Sequence, residues 1–189
     1  MGFLSVISMA HKWIAERTSP GDTVIDATAG GGVDTYELSR IVGARGTVYA
    51  FDIQQAALDR TENRLAELAA MPSLHLVLRS HAEMLEAVDP AHIGKVAAVM
   101  FNLGYLPGGD QSVITRPDST LSALRSALEL LRPGGIITCV LYPGHAGGER
   151  EAAEVEAWAA RLPVQTGQAV LYRQLQRPAA PYLIGIVKK

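Results

Sequence analysis

Five β-rich apolar runs alternate with amphipathic stretches along most of the chain, and then the alternation stops. The runs are "TVIDAT" (23–28), "GTVYAFDI" (46–53), "LHLVLRS" (74–80), "VAAVMFNL" (96–103) and "IITCVLY" (136–142). Around them, residues 5–17, 34–42, 55–70, 117–131 and 147–161 carry apolar side chains at helical spacing. Leu58, Thr61, Leu65 and Leu68 share one helical face, and Leu121, Leu124, Leu128 and Leu131 share another. Pro117 suits a first helical turn, and "RPGG" (132–135) forbids that helix to continue. Strands separated by helices call for parallel pairing through right-handed crossovers, hence a doubly wound α/β sheet covered on both faces. The last two strand-like runs, "VQTGQAVLYRQL" (164–175) and "PYLIGIVKK" (181–189), have no helix between them. They predict a C-terminal antiparallel hairpin, and so a mostly parallel sheet of seven strands.

Composition narrows the class without naming it. At 189 residues the chain is most simply one domain spanning 1–189. Its 48% apolar and 19% charged content is that of a soluble globular protein. The run "VAAVMFNLGYL" (96–106) is shorter than a membrane helix, which needs about 20 residues. The first 18 residues have no basic leading segment, so a cytoplasmic protein with no membrane contact is expected. A net charge of -2 offers no general attraction for nucleic acid, and Arg116, Arg125, Arg132, Arg150, Arg173 and Arg177 are scattered. An RNA partner would need a local patch. The lone Cys139 excludes an intramolecular disulfide, and it reads as a small core residue. No spacing of histidine, cysteine and carboxylate points to a metal.

Ligands of open parallel sheets lie beyond the carboxyl ends of the strands, near the point where strand order reverses. The candidate loops therefore follow Thr28, Ile53, Ser80, Asn102 and Tyr142. The first is "DATAGGGVDT" (26–35), in which Gly30 and Gly32 let backbone turn tightly and approach a ligand. Asp52 stands 20 positions beyond Gly32, where a carboxylate can accept both hydroxyls of an adenosine ribose. A dinucleotide loop wants a glycine where this chain has Thr35, and Asp34 stands where a pyrophosphate would rest. Like charges so close cost on the order of kcal/mol in a partly dry site. Asp34 instead suits the α-amino group of a methionine moiety, which favours S-adenosylmethionine over NAD. Asp26 either fixes the loop through backbone amides or touches the ligand.

"DATAGGGVDT", "FDIQ" (51–54), "LRPGG" (131–135) and the closing hairpin resemble a Rossmann-like class I methyltransferase across nearly the full chain. "SH" (80–81), "FNLGYLPGGD" (101–110), "YPGH" (142–145) and "GGE" (147–149) are similar to a small bacterial family. It was first labelled rRNA methylases and is now understood as tRNA wobble-uridine methyltransferases, which methylate the primary amine of 5-aminomethyl-2-thiouridine. The resemblance implies S-adenosylmethionine as cofactor and the anticodon region of tRNA as substrate, and leaves a homodimer open. The cofactor set expected is Asp26, Thr28, Gly30, Gly31, Gly32, Asp34, Thr35, Asp52, Ile53, Gln54, Ser80, His81 and Asn102, with Ser80 and His81 beside the adenine. The chain departs from the family at Gly31 and Val33, where asparagine and histidine are usual, and at Pro143, where histidine is common.

An aliphatic amine has a pKa of about 10 and arrives protonated, so a site that methylates it must remove a proton. "NLGY" (102–105) resembles the Asn-Pro-Pro-Tyr signature of amino methyltransferases, with Leu103 and Gly104 in place of the prolines. The Asn102 oxygen and the Leu103 carbonyl can accept the amine's hydrogens and aim its lone pair. The plainer reading is a strand cap followed by a packed tyrosine. Asn102, Tyr105 and His145 form the expected catalytic set, and Leu103, Gly104, Pro107 and Asp110 the expected substrate contacts. Gly108 and Gly109 allow close approach or a lid, and Asp110 can attract the cationic amine. His145 can relay the proton, contact RNA, or simply bond nearby backbone. His11, His75 and His92 are assigned structural or surface roles. The competing functions are the same transfer to rRNA, a protein or a small amine, a NAD-binding oxidoreductase, and a nucleotide-binding module without catalysis.

Overall fold

In the computed structural model, which describes residues 2–104, 115–144 and 147–189, the strands fall where the apolar runs lie. They are β1 (Thr23–Asp26), β2 (Thr47–Asp52), β3 (Ser73–Leu78), β4 (Val96–Asn102), β5 (Leu131–Leu141), β6 (Gly167–Tyr172) and β7 (Tyr182–Lys188). The helices are α1 (Val6–Ala15), α2 (Val33–Val42), α3 (Gln55–Leu65), α4 (Met84–Ala87), α5 (Pro117–Leu130) and α6 (Gly148–Ala160). The expected site residues Tyr105, Pro107, Asp110 and His145 lie outside the described residues.

One sheet holds the strands in the order β3-β2-β1-β4-β5-β7-β6. β1 to β5 are parallel, and β7 runs antiparallel to both its neighbours. The predicted hairpin is present, but its second strand lies inside, between β5 and β6. Order reverses between β1 and β4, and there the glycine loop and Asn102 leave the sheet side by side.

Two-residue alternation splits the core into two layers. Val48, Ala98, Met100, Ile136 and Val140 pack beneath α1 and α2 with Ala10, Ile14, Leu38 and Val42. Phe51, Val99, Phe101, Ile137 and Cys139 face the other way, against Met84, Leu124, Ala127 and Val155 of α4, α5 and α6. A smaller group, Ala29, Ala50 and Leu58, seats α3. Cys139 is fully buried, and burial pushes its thiol well above the usual range. The Trp13 ring of α1 packs against Gly185 of β7, where an added Cβ would fall 2.6 Å from Cζ3. The same ring meets Tyr172 of β6 edge-on, so α1 clamps the antiparallel strands to the sheet.

Three local features differ from the sequence pattern. α3 ends at Leu65 rather than near 70, because the Leu68 amide turns back to the Leu65 carbonyl. "RPGG" lies within β5, not before it: pairing jumps from Val96 with Leu131 to Ala98 with Ile136, and Gly134 takes up the bulge at φ 77°. Between β3 and β4, α4 spans only 4 residues, too short for a periodic signal.

Candidate active site

Asp26 is fully buried at the end of β1, and it organises the loop that follows. Its carboxylate accepts from the Thr28 amide at 3.0 Å and from the Thr35 hydroxyl at 2.6 Å, so both ends of "DATAGGGVDT" close on one side chain. Burial, and then the charge of Asp34, pushes its pKa up to about 7. The loop's outer side rests on Asp52, whose two oxygens accept from the amides of Gly30 at 3.0 Å and Gln54 at 2.9 Å. Each Asp52 oxygen keeps a further lone pair, so the carboxylate can still receive ligand hydroxyls.

The glycines divide their work. Gly30 and Gly32 have φ of 54° and 76°, left-handed values that glycine tolerates. Gly31 has ordinary backbone and open space where a Cβ would project, and its carbonyl accepts from Arg64 at 2.7 Å.

Beyond the carboxyl ends of β1, β2 and β4 lies a cavity of about 690 Å³. Of the expected cofactor set, Thr28, Gly30, Gly31, Asp34, Asp52, Ile53, Gln54, Ser80, His81 and Asn102 line it. Asp26, Gly32 and Thr35 are not among the lining residues and act from beneath the loop. Of the expected substrate contacts, Leu103 and Gly104 are on the wall. His81 is 8% exposed, bonds the Ala27 carbonyl through Nδ1 at 3.2 Å and packs edge-on to Phe101. Among the described residues its Nε2 is buried with no partner; burial lowers its pKa and so favours the neutral ring, in which Nδ1–H serves the Ala27 carbonyl and Nε2 is the acceptor.

Asn102 is held from two sides. Its backbone amide donates to Thr28 Oγ1 at 2.8 Å, and its side-chain Nδ2 donates to Asp34 Oδ2 at 3.1 Å. Burial and the Asp34 charge raise the pKa of the Tyr142 phenol on the same wall, with Asn102 opposing the shift. With its NH₂ group directed at Asp34, the amide keeps its oxygen for another partner.

Three comparisons bear on this arrangement. Residues 48–188 match the family described as "Putative rRNA methylase". A protein of Arabidopsis thaliana named tRNA (mnm(5)s(2)U34)-methyltransferase, chloroplastic, is 41% identical over 96% of this chain and 68% of its own length. The chain belongs to this methyltransferase family. Solved structures of its relatives superpose closely. A protein of Clostridium thermocellum described as a "putative rRNA-methylase" is 36% identical, with TM-score 0.94 and full coverage of both chains. A protein of Streptococcus mutans described as a "putative methyltransferase", in complex with SAH, is 32% identical, with TM-score 0.87 and full coverage of both.

Several features of the cavity were not legible as such. His11, assigned a structural or surface role, places Nε2 2.7 Å from Asp34 Oδ1. Thr115, Ser119, Arg60 and Arg79 line the cavity, and no local motif marks them, whereas Tyr142, also on the wall, opens the "YPGH" stretch. Among the scattered arginines, Arg132 is engaged with Asp22 at 2.7 Å, at the amino end of β1, and Arg150 with Glu154 at 2.8 Å. His75 stacks on Tyr49 and His92 bonds its hydroxyl at 3.0 Å, both structural roles as expected. Among the described residues no group of three or more His, Cys, Asp or Glu could hold a metal, and no helix is long and apolar enough to cross a membrane.

Proposed function

We propose that this chain is an S-adenosylmethionine-dependent N-methyltransferase that converts the 5-aminomethyl group of a tRNA wobble (2-thio)uridine to 5-methylaminomethyl. The observation that carries this reading is the fixed amide of Asn102 on the cavity wall, beside the glycine loop. The name of the Arabidopsis relative supplies the substrate class.

The residues present fit the cofactor. Asp52 retains lone pairs for a ribose diol, Asp34 offers a carboxylate to an ammonium group, and His81 adds a buried acceptor. Asp34 and Asp52 together on one wall disfavour the pyrophosphate of NAD by like-charge repulsion. S-adenosylmethionine, when bound, supplies a methyl group on a positively charged sulfur. The protein's part is to orient the acceptor as its neutral amine, the ammonium proton passing to solvent before the transfer. Asn102 Oδ1 and the Leu103 carbonyl accept the two N–H bonds of a neutral amine, which leaves its lone pair directed along the remaining axis. Thr115, Ser119 and Tyr142 complete the polar wall of the acceptor end. Tyr105 and His145 are proposed as catalytic residues, and Pro107 and Asp110 as substrate contacts. We place the reaction in the cytoplasm, on tRNA, with the anticodon region presented to the cavity.

The test is nucleoside mass spectrometry of aminomethylated and unmodified tRNA incubated with the chain and cofactor. Methylation of the aminomethylated tRNA alone is expected. Asn102→Ala should bind cofactor normally in calorimetry while turnover falls roughly 100-fold. Unchanged turnover in that variant removes Asn102 from the mechanism.

A further inference from the structure

Asp34 is gripped at both oxygens by residues of two other elements. Oδ1 lies 2.7 Å from His11 Nε2 of α1, and Oδ2 accepts from Asn102 Nδ2 at the end of β4 at 3.1 Å. The Asp34 side chain is 7% exposed and that of His11 19%, so the pair is largely shielded from water. Asp34 and Asn102 line the cavity, whereas His11 is not among its lining residues. The matched family segment begins at residue 48 and includes neither His11 nor Asp34.

A carboxylate only accepts hydrogen bonds, while an amide donates at one end and accepts at the other. Asp34 Oδ2 therefore dictates which end of Asn102 faces it, and a flipped amide would set oxygen against oxygen. The carboxylate can enforce this only while its own rotation is fixed. His11 fixes it by holding the second oxygen, and no residue nearer than 23 positions away supplies that bond. The imidazole also offsets charge at a crowded place. Its pKa is raised by the hydrogen bond to Asp34 and by the charges of Asp34, Glu37 and Asp26, with burial opposing.

We propose that His11 is a positioning residue for methyl transfer, acting through Asp34 to keep the Asn102 amide oxygen turned toward the acceptor amine. This rests on the functional reading above, and it adds a residue that touches neither cofactor nor substrate.

His11→Ala and His11→Gln, each alone and combined with Asn102→Ala, decide the matter on the full chain. Removing the grip should lower kcat roughly 10- to 100-fold with KM for tRNA little changed. His11→Gln retains a donor and should recover part of the loss. In the Asn102→Ala background, His11→Ala should cost almost nothing more. Wild-type kcat in His11→Ala, or an equal loss in both backgrounds, overturns the proposal. A second readout does not depend on activity: the side-chain amide signals of Asn102, assigned by their absence from Asn102→Ala, should shift and exchange faster in His11→Ala. Unmoved signals also overturn it. A wild-type chain that leaves aminomethylated tRNA unmethylated defeats the functional reading instead, and the amide signals still judge the role of His11.

Discussion

Gly32 and Thr61 meet so closely that a Cβ on Gly32 would fall 2.7 Å from the Thr61 Cα and 3.1 Å from its Oγ1. The contact joins the glycine loop to α3, and Thr61 is itself fully buried, with its hydroxyl bonded back to the Ala57 carbonyl. Gly32 is thus a packing position beneath the ligand loop. Gly32→Ala combines a left-handed backbone with a backbone clash and should cost about 2–4 kcal/mol in denaturant unfolding. Gly31→Asn, which restores the usual family residue into open space, should change stability by less than about 0.5 kcal/mol and tighten cofactor binding in calorimetry. Equal destabilisation by the two would refute this division.

Asp26 should make stability fall as pH rises from the ordinary carboxylate range toward neutrality. Its pKa is pushed up to about 7 in the fold from the ordinary 3.8, so between those values the native chain keeps a proton that the unfolded chain has lost. His11 acts in the same direction further up: its raised pKa gives stability that is full below 6.5 and lost as pH climbs through the folded value. His81, its pKa lowered by burial, acts in the opposite sense below 6.5, so unfolding followed from pH 4 to 8 should show a more negative slope in the wild-type chain than in Asp26→Asn. Equal slopes in the two would refute the assignment.

Glu151 fastens the acceptor side of the site. Buried at 2% exposure in the first turn of α6, it accepts from the hydroxyls of Thr115 and Thr120, each at 2.7 Å. Thr115 in turn exchanges hydrogen bonds with Gly104, its hydroxyl taking the Gly104 amide at 3.0 Å and its own amide donating to the Gly104 carbonyl at 3.0 Å. Glu151→Ala strands both hydroxyls and should cost about 3 kcal/mol, with Glu151→Gln milder. Thermal unfolding measures the cost. Cofactor affinity should hold while turnover drops, and an intact turnover would show that the Gly104–Thr115 neck does not need its anchor.

Strand positions were legible because a short apolar run bounded by turn residues is a local property: β1, β2, β4 and most of β5 are buried on both faces, and β3 alone alternates. The place of β7 was not, since two adjacent runs announce a hairpin without saying which of them joins β5. The glycine loop, Asp52 and Asn102 could be read because strand ends and spacing locate them. Asp34 was read as a ligand for an ammonium group, but its bond to His11 crosses 23 positions and leaves no periodic trace. Gly32 looked like a ligand glycine because the pressure on it comes from α3, folded back onto the loop. α4 and the bulge at Gly134 escaped for the same reason: tertiary packing imposes them on segments too short to carry a pattern of their own.

The interior placement of β7 governs the order of assembly. β6 is made first, yet its backbone ladder is with β7, and β7 must also reach β5. Until residues 182–188 have been synthesised, β5 presents an unpaired edge and β6 has no ladder to join. Such an edge invites pairing with other chains. A nascent chain halted before β7 therefore carries a sheet open at its apolar middle, and completion of one strand converts that hazard into the closed core.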